Sequence, residues 1–171
     1  IDDDDIWLKE KLLKQVIFMD NNPEYWICGT STIIINSLGE ERKKVLMRET
    51  NHQIKNNILK SNQFTHSSIL IRKYTLDKVW WLYNNSYNWA EDYELWLRIW
   101  VISKVYNLPD NLVKYRWLES SIGRTKSLQQ KVLWIKILLL YKNHYPHYTL
   151  AIITRILTLL IPEKIKKILL N

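Results

Sequence analysis

At 171 residues, with 47% hydrophobic side chains and nine tryptophans, the chain can bury one domain-sized core and is no disordered polymer. Three glycines leave no glycine-rich phosphate loop, and a single cysteine, Cys28, excludes an intramolecular disulfide and a cysteine-based zinc site. The net charge of +8 is uneven: residues 1–119 carry 16 basic and 16 acidic side chains, whereas residues 120–171 carry nine basic and one acidic, which suggests two regions with different partners.

The chain opens on Asp2-Asp3-Asp4-Asp5, between Ile1 and Ile6-Trp7-Leu8. Carboxylates this close repel one another unless something positive answers them, and a divalent cation with oxygen ligands is one answer. The apolar flanks suggest a strand ending and a helix beginning, with the acids at the junction. Helix capping explains one Asp there, but not four. The start on Ile1, without a signal-peptide pattern, reads as a fragment lacking its upstream part.

Helical spacing of Leu8, Leu12, Leu13, Val16 and Ile17 predicts a helix over residues 6–20, stopped by Asn21-Asn22-Pro23. The β-branched and aromatic run 25–36 predicts a strand. Ser37-Leu38-Gly39-Glu40 then predicts a hairpin turn with a return through Val45-Leu46. A helix is expected over 51–60, a short strand over 67–72, a helix over 74–82 and a polar loop over 83–88. Glu91 opens a helix running to 103, with Leu95, Trp96, Ile99 and Ile102 on one face. Short extended pieces follow near Val105-Tyr106 and Leu112-Val113-Lys114-Tyr115. The tail 128–171 reads as two or three helices broken at Pro146 and Pro162. Alternating helices and strands argue for an α/β layer structure.

Two further clusters can carry chemistry. Glu91 and Asp92 begin a helix after a polar loop, where a carboxylate stays ionised and can act as a base; a favourable first-turn acid pair is the plainer reading. Arg98 lies four residues after Glu94, the spacing of an ordinary helix ion pair. His66 precedes a strand, and a lone histidine there is more often structural.

Order and spacing join these pieces. Ile-Asp-Asp-Asp-Asp-Ile-Trp-Leu, then His66-Ser67-Ser68 with Arg72, then Ala90-Glu91-Asp92-Tyr93-Glu94-Leu95-Trp96-Leu97-Arg98, then residues 108–116 together resemble the second half of a family 2 glycosyltransferase. The resemblance runs from Ile1 to about Lys126. It implies an α/β fold of the GT-A type, here a partial one lacking its N-terminal half, over residues 1–125, followed by a basic amphipathic helical tail over 126–171. It also implies a site. Asp4 would bind a divalent cation, manganese or magnesium, together with Asp2. Asp2 would also face the ribose or donor sugar, Asp5 would support the site, and His66 would lie near the donor or acceptor pocket. Asp92, paired with Glu91, would be the base. The partners implied are a nucleotide-diphospho-sugar donor and a glycan or lipid-linked acceptor, in cell-surface glycan synthesis, with inversion at the anomeric carbon.

Three features depart from the family pattern. Its nucleotide-binding N-terminal half is absent, so the isolated chain is expected to be inactive. Val79 is followed by the bulky Trp80-Trp81 where relatives often have glycine. After Tyr115-Arg116, Leu118 stands where the family often has a metal-binding histidine, with Glu119 as a nearby substitute. These departures keep open a non-catalytic remnant or binding module. The apolar stretches 132–140 and 150–161 fall short of a spanning helix. With Lys164, Lys166 and Lys167 behind them, they suit helices on an anionic membrane surface, equally a packed helical subdomain. The expected place is the cytoplasm, peripheral on the inner face of the plasma membrane. Nucleic acid is not an expected partner, because the aromatics fall at core spacing.

Overall fold

The structure, a computed structural model, describes residues 2–79, 83–118 and 127–160. Trp80-Trp81, Glu119, Pro162 and the three lysines 164, 166 and 167 lie outside the described residues. The fold is α/β with a mixed sheet. In chain order the elements are β1 (Ile6–Trp7), α1 (Lys11–Asn21), β2 (Tyr25–Ile35), β3 (Glu41–Val45), α2 (Asn51–Lys55), a 3-10 turn (His66–Ser68) and β4 (Leu70–Ile71). Then come α3 (Lys73–Lys78), a 3-10 turn (Asn85–Tyr87), α4 (Glu91–Trp100), β5 (Lys104–Arg116), α5 (Ser127–Tyr141) and α6 (Tyr148–Leu160).

Strand β2 is the axis of the sheet. One edge pairs in parallel with β5 along its whole length, and the other is shared by β4 at its start and β3 at its end, both antiparallel. Strand β1 closes the far side, pairing Ile6 with Lys114 and Trp7 with Val113. The β2–β3 hairpin turns at Gly39, whose φ of 84° is a left-handed conformation open to glycine at little cost. Residues 104–116 form one strand rather than two pieces. Thr30 pairs with Leu108 and the next residue, Ser31, with Asn111, so Pro109 and Asp110 are bulged out. The bulge accommodates a proline that cannot donate to the ladder, and Asp110 accepts a bond from Lys14 at 2.7 Å.

Helix α1 corrects the sequence reading twice. It begins at Lys11, after β1, so Asp5 does not cap it; the capping position is Glu10, which makes no side-chain cap bond. Its apolar stripe also does not turn inward: Lys11, Gln15 and Met19 are buried, while Leu12, Leu13, Val16 and Ile17 are exposed. The cause is a polar demand under the helix. Gln15 donates from Nε2 to the carbonyls of Cys28 and Ser68, the latter at 2.9 Å, and accepts from Lys11 Nζ at 2.7 Å. The Lys11 ammonium also sits 3.9 Å from the Trp7 ring centre. Buried carbonyls need donors, and an apolar face would leave these two unmet.

The main core lies on the other side, where Ile54, Ile58, Phe64, Tyr93, Leu97 and Trp100 cluster. Ile137, Leu138 and Tyr141 of α5, Tyr145, and Ala151 of α6 belong to the same cluster. Trp134 stacks on Tyr93 with ring centres 4.4 Å apart, and Tyr145 donates to the Leu97 carbonyl at 2.6 Å. The Glu94–Arg98 pair is part of this seam: Glu94 is buried and accepts from Arg98 Nη2 at 3.0 Å and from the Tyr141 hydroxyl at 2.7 Å.

Candidate active site

A cleft of about 660 Å³ opens where four segments meet: the acidic run, the 62–66 segment, the start of α4 and the end of β5. Asp2, Asp4, His66, Glu91 and Asp92 all line it. Asp5 does not. It is buried, accepts the Arg116 backbone N–H at 2.8 Å, and leaves Oδ2 unpartnered among the described residues. Burial pushes its carboxyl pKa up. Asp5 therefore ties the acidic run to the end of β5. Arg116 completes the tie, donating to the Asp4 carbonyl at 2.9 Å and to the carbonyls of Asn36 and Ser37.

A backbone turn separates the roles of these acids. The Asp5 N–H reaches back to the Asp2 carbonyl at 3.3 Å, so the two side chains of the run can serve opposite sides. Asp2 is fixed by its neighbours. Its N–H donates to Ser67 Oγ at 3.1 Å, and its carboxylate lies 3.2 Å from His66 Nδ1 and 3.3 Å from Ser67 Oγ. His66 Nε2 is 2.9 Å from the Tyr83 hydroxyl. His66 is thus oriented by two partners and bridges the acidic run to the cleft wall.

On the other wall, Asp92 is held at both oxygens. Oδ1 accepts the Tyr93 N–H at 2.6 Å and Oδ2 accepts from Asn62 Nδ2 at 3.3 Å. Burial raises its pKa, against the lowering effect of these bonds and of His66. The raised pKa makes Asp92 a stronger base than an exposed aspartate. Glu91 shares the first turn of α4, and its Oε2 has no hydrogen-bond partner among the described residues.

The chain is similar to a named glycosyltransferase. It is 32% identical over 177 aligned positions to the amylovoran biosynthesis glycosyltransferase AmsE of Erwinia amylovora. The alignment takes in 99% of this chain and 64% of the relative, so the chain spans less than two thirds of the relative's length. No protein-family model matches the chain.

No group of three His, Cys, Asp or Glu residues among the described ones is gathered closely enough to hold a metal ion. Asp2 and Asp4 nevertheless present hard oxygens to one cleft. Magnesium-type sites often use one or two carboxylates and draw their other ligands from water and substrate phosphates. Two carboxylates are too few for a cation enclosed by the protein alone.

The structure adds lining residues that the sequence gave no reason to choose: Asn62, Tyr83, Trp89, Trp117 and Gln130. Tyr115 and Arg116, which end the 108–116 stretch carrying the resemblance, line the cleft as well, and so does Leu118. Gln130 comes from α5, so the tail contributes to the wall. Its Nε2 donates to the Trp89 carbonyl at 2.7 Å.

Proposed function

We propose that this chain is the acceptor-side half of a metal-dependent, inverting glycosyltransferase. It would act in cell-surface glycan synthesis, moving a sugar from a nucleotide-diphosphate donor to an acceptor hydroxyl. One observation carries the reading: carboxylates ninety residues apart, Asp2 and Asp4 against Glu91 and Asp92, converge on one cleft with His66. Similarity to a glycosyltransferase along nearly the whole chain supports it.

In this reading the acceptor oxygen attacks the anomeric carbon as the bond to the diphosphate oxygen breaks. The electron pair leaves with the diphosphate, and the acceptor proton passes to Asp92. Asn62 and the Tyr93 N–H aim the Asp92 carboxylate. Asp4 and Asp2 would hold a manganese or magnesium ion, which supplies positive charge to the departing diphosphate. Asp2, steadied by His66 and Ser67, would also face the ribose or donor sugar.

One observation favours a non-catalytic binding module of the same fold: Leu118 lines the cleft and cannot ligate a metal. A peripheral place on an anionic membrane surface also belongs to the proposal. Leu150, Ile153 and Leu157 form an exposed apolar row on α6, ahead of the basic residues of the terminus. No helix among the described residues is long and apolar enough to cross a membrane.

Calorimetric titration of the complete protein with UDP, GDP and dTDP, with and without Mn²⁺, tests the donor side. Mn²⁺-dependent binding that weakens at least about tenfold in Asp4→Ala, roughly one lost charge-assisted contact, is expected. Binding that ignores both Mn²⁺ and Asp4 would remove the metal assignment.

A further inference from the structure

The acceptor side of the cleft has an unusual rim. Three large aromatic side chains, Tyr83, Trp89 and Trp117, line it while remaining 38%, 38% and 44% exposed. Partly open aromatic rings along a cleft offer flat apolar faces to a ligand. Tyr115 backs Trp117, with ring centres 6.1 Å apart.

Trp89 is also held in a costly conformation. Its φ is 72°, in the left-handed region that non-glycine residues seldom enter. Such a residue persists only where its surroundings impose it. Here two bonds do so: Gln130 Nε2 reaches the Trp89 carbonyl at 2.7 Å, and the Ala90 N–H reaches the Tyr87 carbonyl at 2.8 Å. The result sets an indole on the cleft wall two and three residues before Glu91 and Asp92.

We propose that Trp89 and Trp117 form the acceptor subsite, and that it takes the face of a pyranose ring. The acceptor is then a saccharide, bound by its sugar and not by a lipid phosphate. The inference rests on the glycosyl-transfer reading above. One face of a pyranose presents weakly positive C–H groups, which suit the negative face of an indole. Its hydroxyls point outward around the edge, where Glu91 and Asp92 can accept their protons. Among the described residues the rim supplies no lysine, and Arg116, the arginine among them that lines the cleft, spends its guanidinium on the carbonyls of Asp4, Asn36 and Ser37. A phosphate headgroup would find little there to neutralise it. Gln130 acts as a positioning residue, setting the plane of Trp89 from the tail helix.

Saturation-transfer NMR on the chain tests the subsite, with methyl glucoside, galactoside and mannoside as probes and dodecyl phosphate below its micelle concentration as the competing class. The expected result is transfer to the ring C–H protons of at least one glycoside. That transfer should be lost in Trp89→Gly and partly kept in Trp89→Phe. The Trp89→Gly substitution removes the ring and relieves the left-handed strain, so its melting temperature should stay level or rise, which separates lost binding from lost folding. Gln130→Ala should weaken glycoside binding by about three- to tenfold, as expected when one orienting bond is removed. Absence of transfer to every glycoside, equal transfer in Trp89→Gly, or preference for the alkyl phosphate would overturn the proposal. Glycoside binding lost in Trp89→Gly, in a protein that never transfers sugar, would sink the catalytic reading and leave the subsite standing. Sugar transfer with an acceptor KM unchanged by Trp89→Gly would sink the subsite alone.

Discussion

Replacing Tyr141 with phenylalanine should loosen the tail helix from α4 without disturbing its packing. The hydroxyl donates at 2.7 Å to Glu94 Oε1, inside a core where Glu94 is only 3% exposed. Burial, together with the Glu94 carboxylate, pushes the phenol pKa well up, so the hydroxyl remains a donor at any ordinary pH. A bond to a buried charged acceptor is worth about 1.5–3 kcal/mol. Arg98 still pairs with Glu94 in the variant, so the lower end, about 1.5 kcal/mol, applies. For a chain of this size that lowers the melting temperature by roughly 3–6 °C. Glu94→Leu removes the carboxylate from Arg98 as well and should cost about 3–5 kcal/mol. The double variant should cost less than the sum, because the hydroxyl has no carboxylate left to lose; a coupling of about 0.5–3 kcal/mol is expected. Urea unfolding followed by tryptophan fluorescence measures all four proteins. Strict additivity, with Tyr141→Phe costing under about 0.5 kcal/mol, would show that α5 is not locked to α4 by this bond.

Three further outcomes follow from other parts of the molecule. Burial pushes the Lys11 amine down to about 8 from the usual 10.5. Below pH 8 both states carry the proton and the folded one bears the full cost of burial; between 8 and 10.5 the unfolded chain binds more protons, so stability rises with pH. Lys11→Met should flatten that rise and stabilise the fold at pH 7, read by urea midpoints across pH 7–10; an unchanged slope would refute the burial argument. Neutralising Lys164, Lys166 and Lys167 together should weaken co-sedimentation with phosphatidylserine vesicles, by roughly 1 kcal/mol per lysine at low salt. Equal pelleting, or pelleting insensitive to salt, would count against an electrostatic tail. Asn62→Ala frees one oxygen of Asp92, and sugar transfer by the complete protein should slow by up to about tenfold with donor affinity kept. An unaltered rate would make Asn62 a bystander.

Much of the fold was legible because its signals are local. The β-branched run ending at Asn36 and the Gly39 turn announce the β2–β3 hairpin, and α4 begins at Glu91, where the acids lie. What was hidden depends on partners distant in the chain. Periodicity marks α1 as two-faced but does not say which face turns inward; the carbonyls of Cys28 and Ser68 decide that, fifty-three residues away in the second case. Pro109 reads as a strand break, yet the sheet absorbs it in a bulge. Four identical aspartates cannot be told apart in sequence, and it is the turn from Asp5 back to Asp2 that buries one and opens others to the cleft. Trp89 had no signal at all, since its backbone conformation is one that sequence assigns to glycine or asparagine.

The most direct test of the account is turnover by the protein made from its complete reading frame, with Asp92→Asn beside the wild type. A panel of nucleotide-diphospho-sugars with Mn²⁺ and saccharide acceptors supplies both substrates. Asparagine keeps the shape and can still accept the Tyr93 N–H, but its Nδ2 gives up the bond from Asn62 and it takes no proton, so donor affinity should hold while the rate falls about 10²–10⁴-fold. Full turnover by Asp92→Asn, or a wild type that binds donor and never transfers it, would contradict the account.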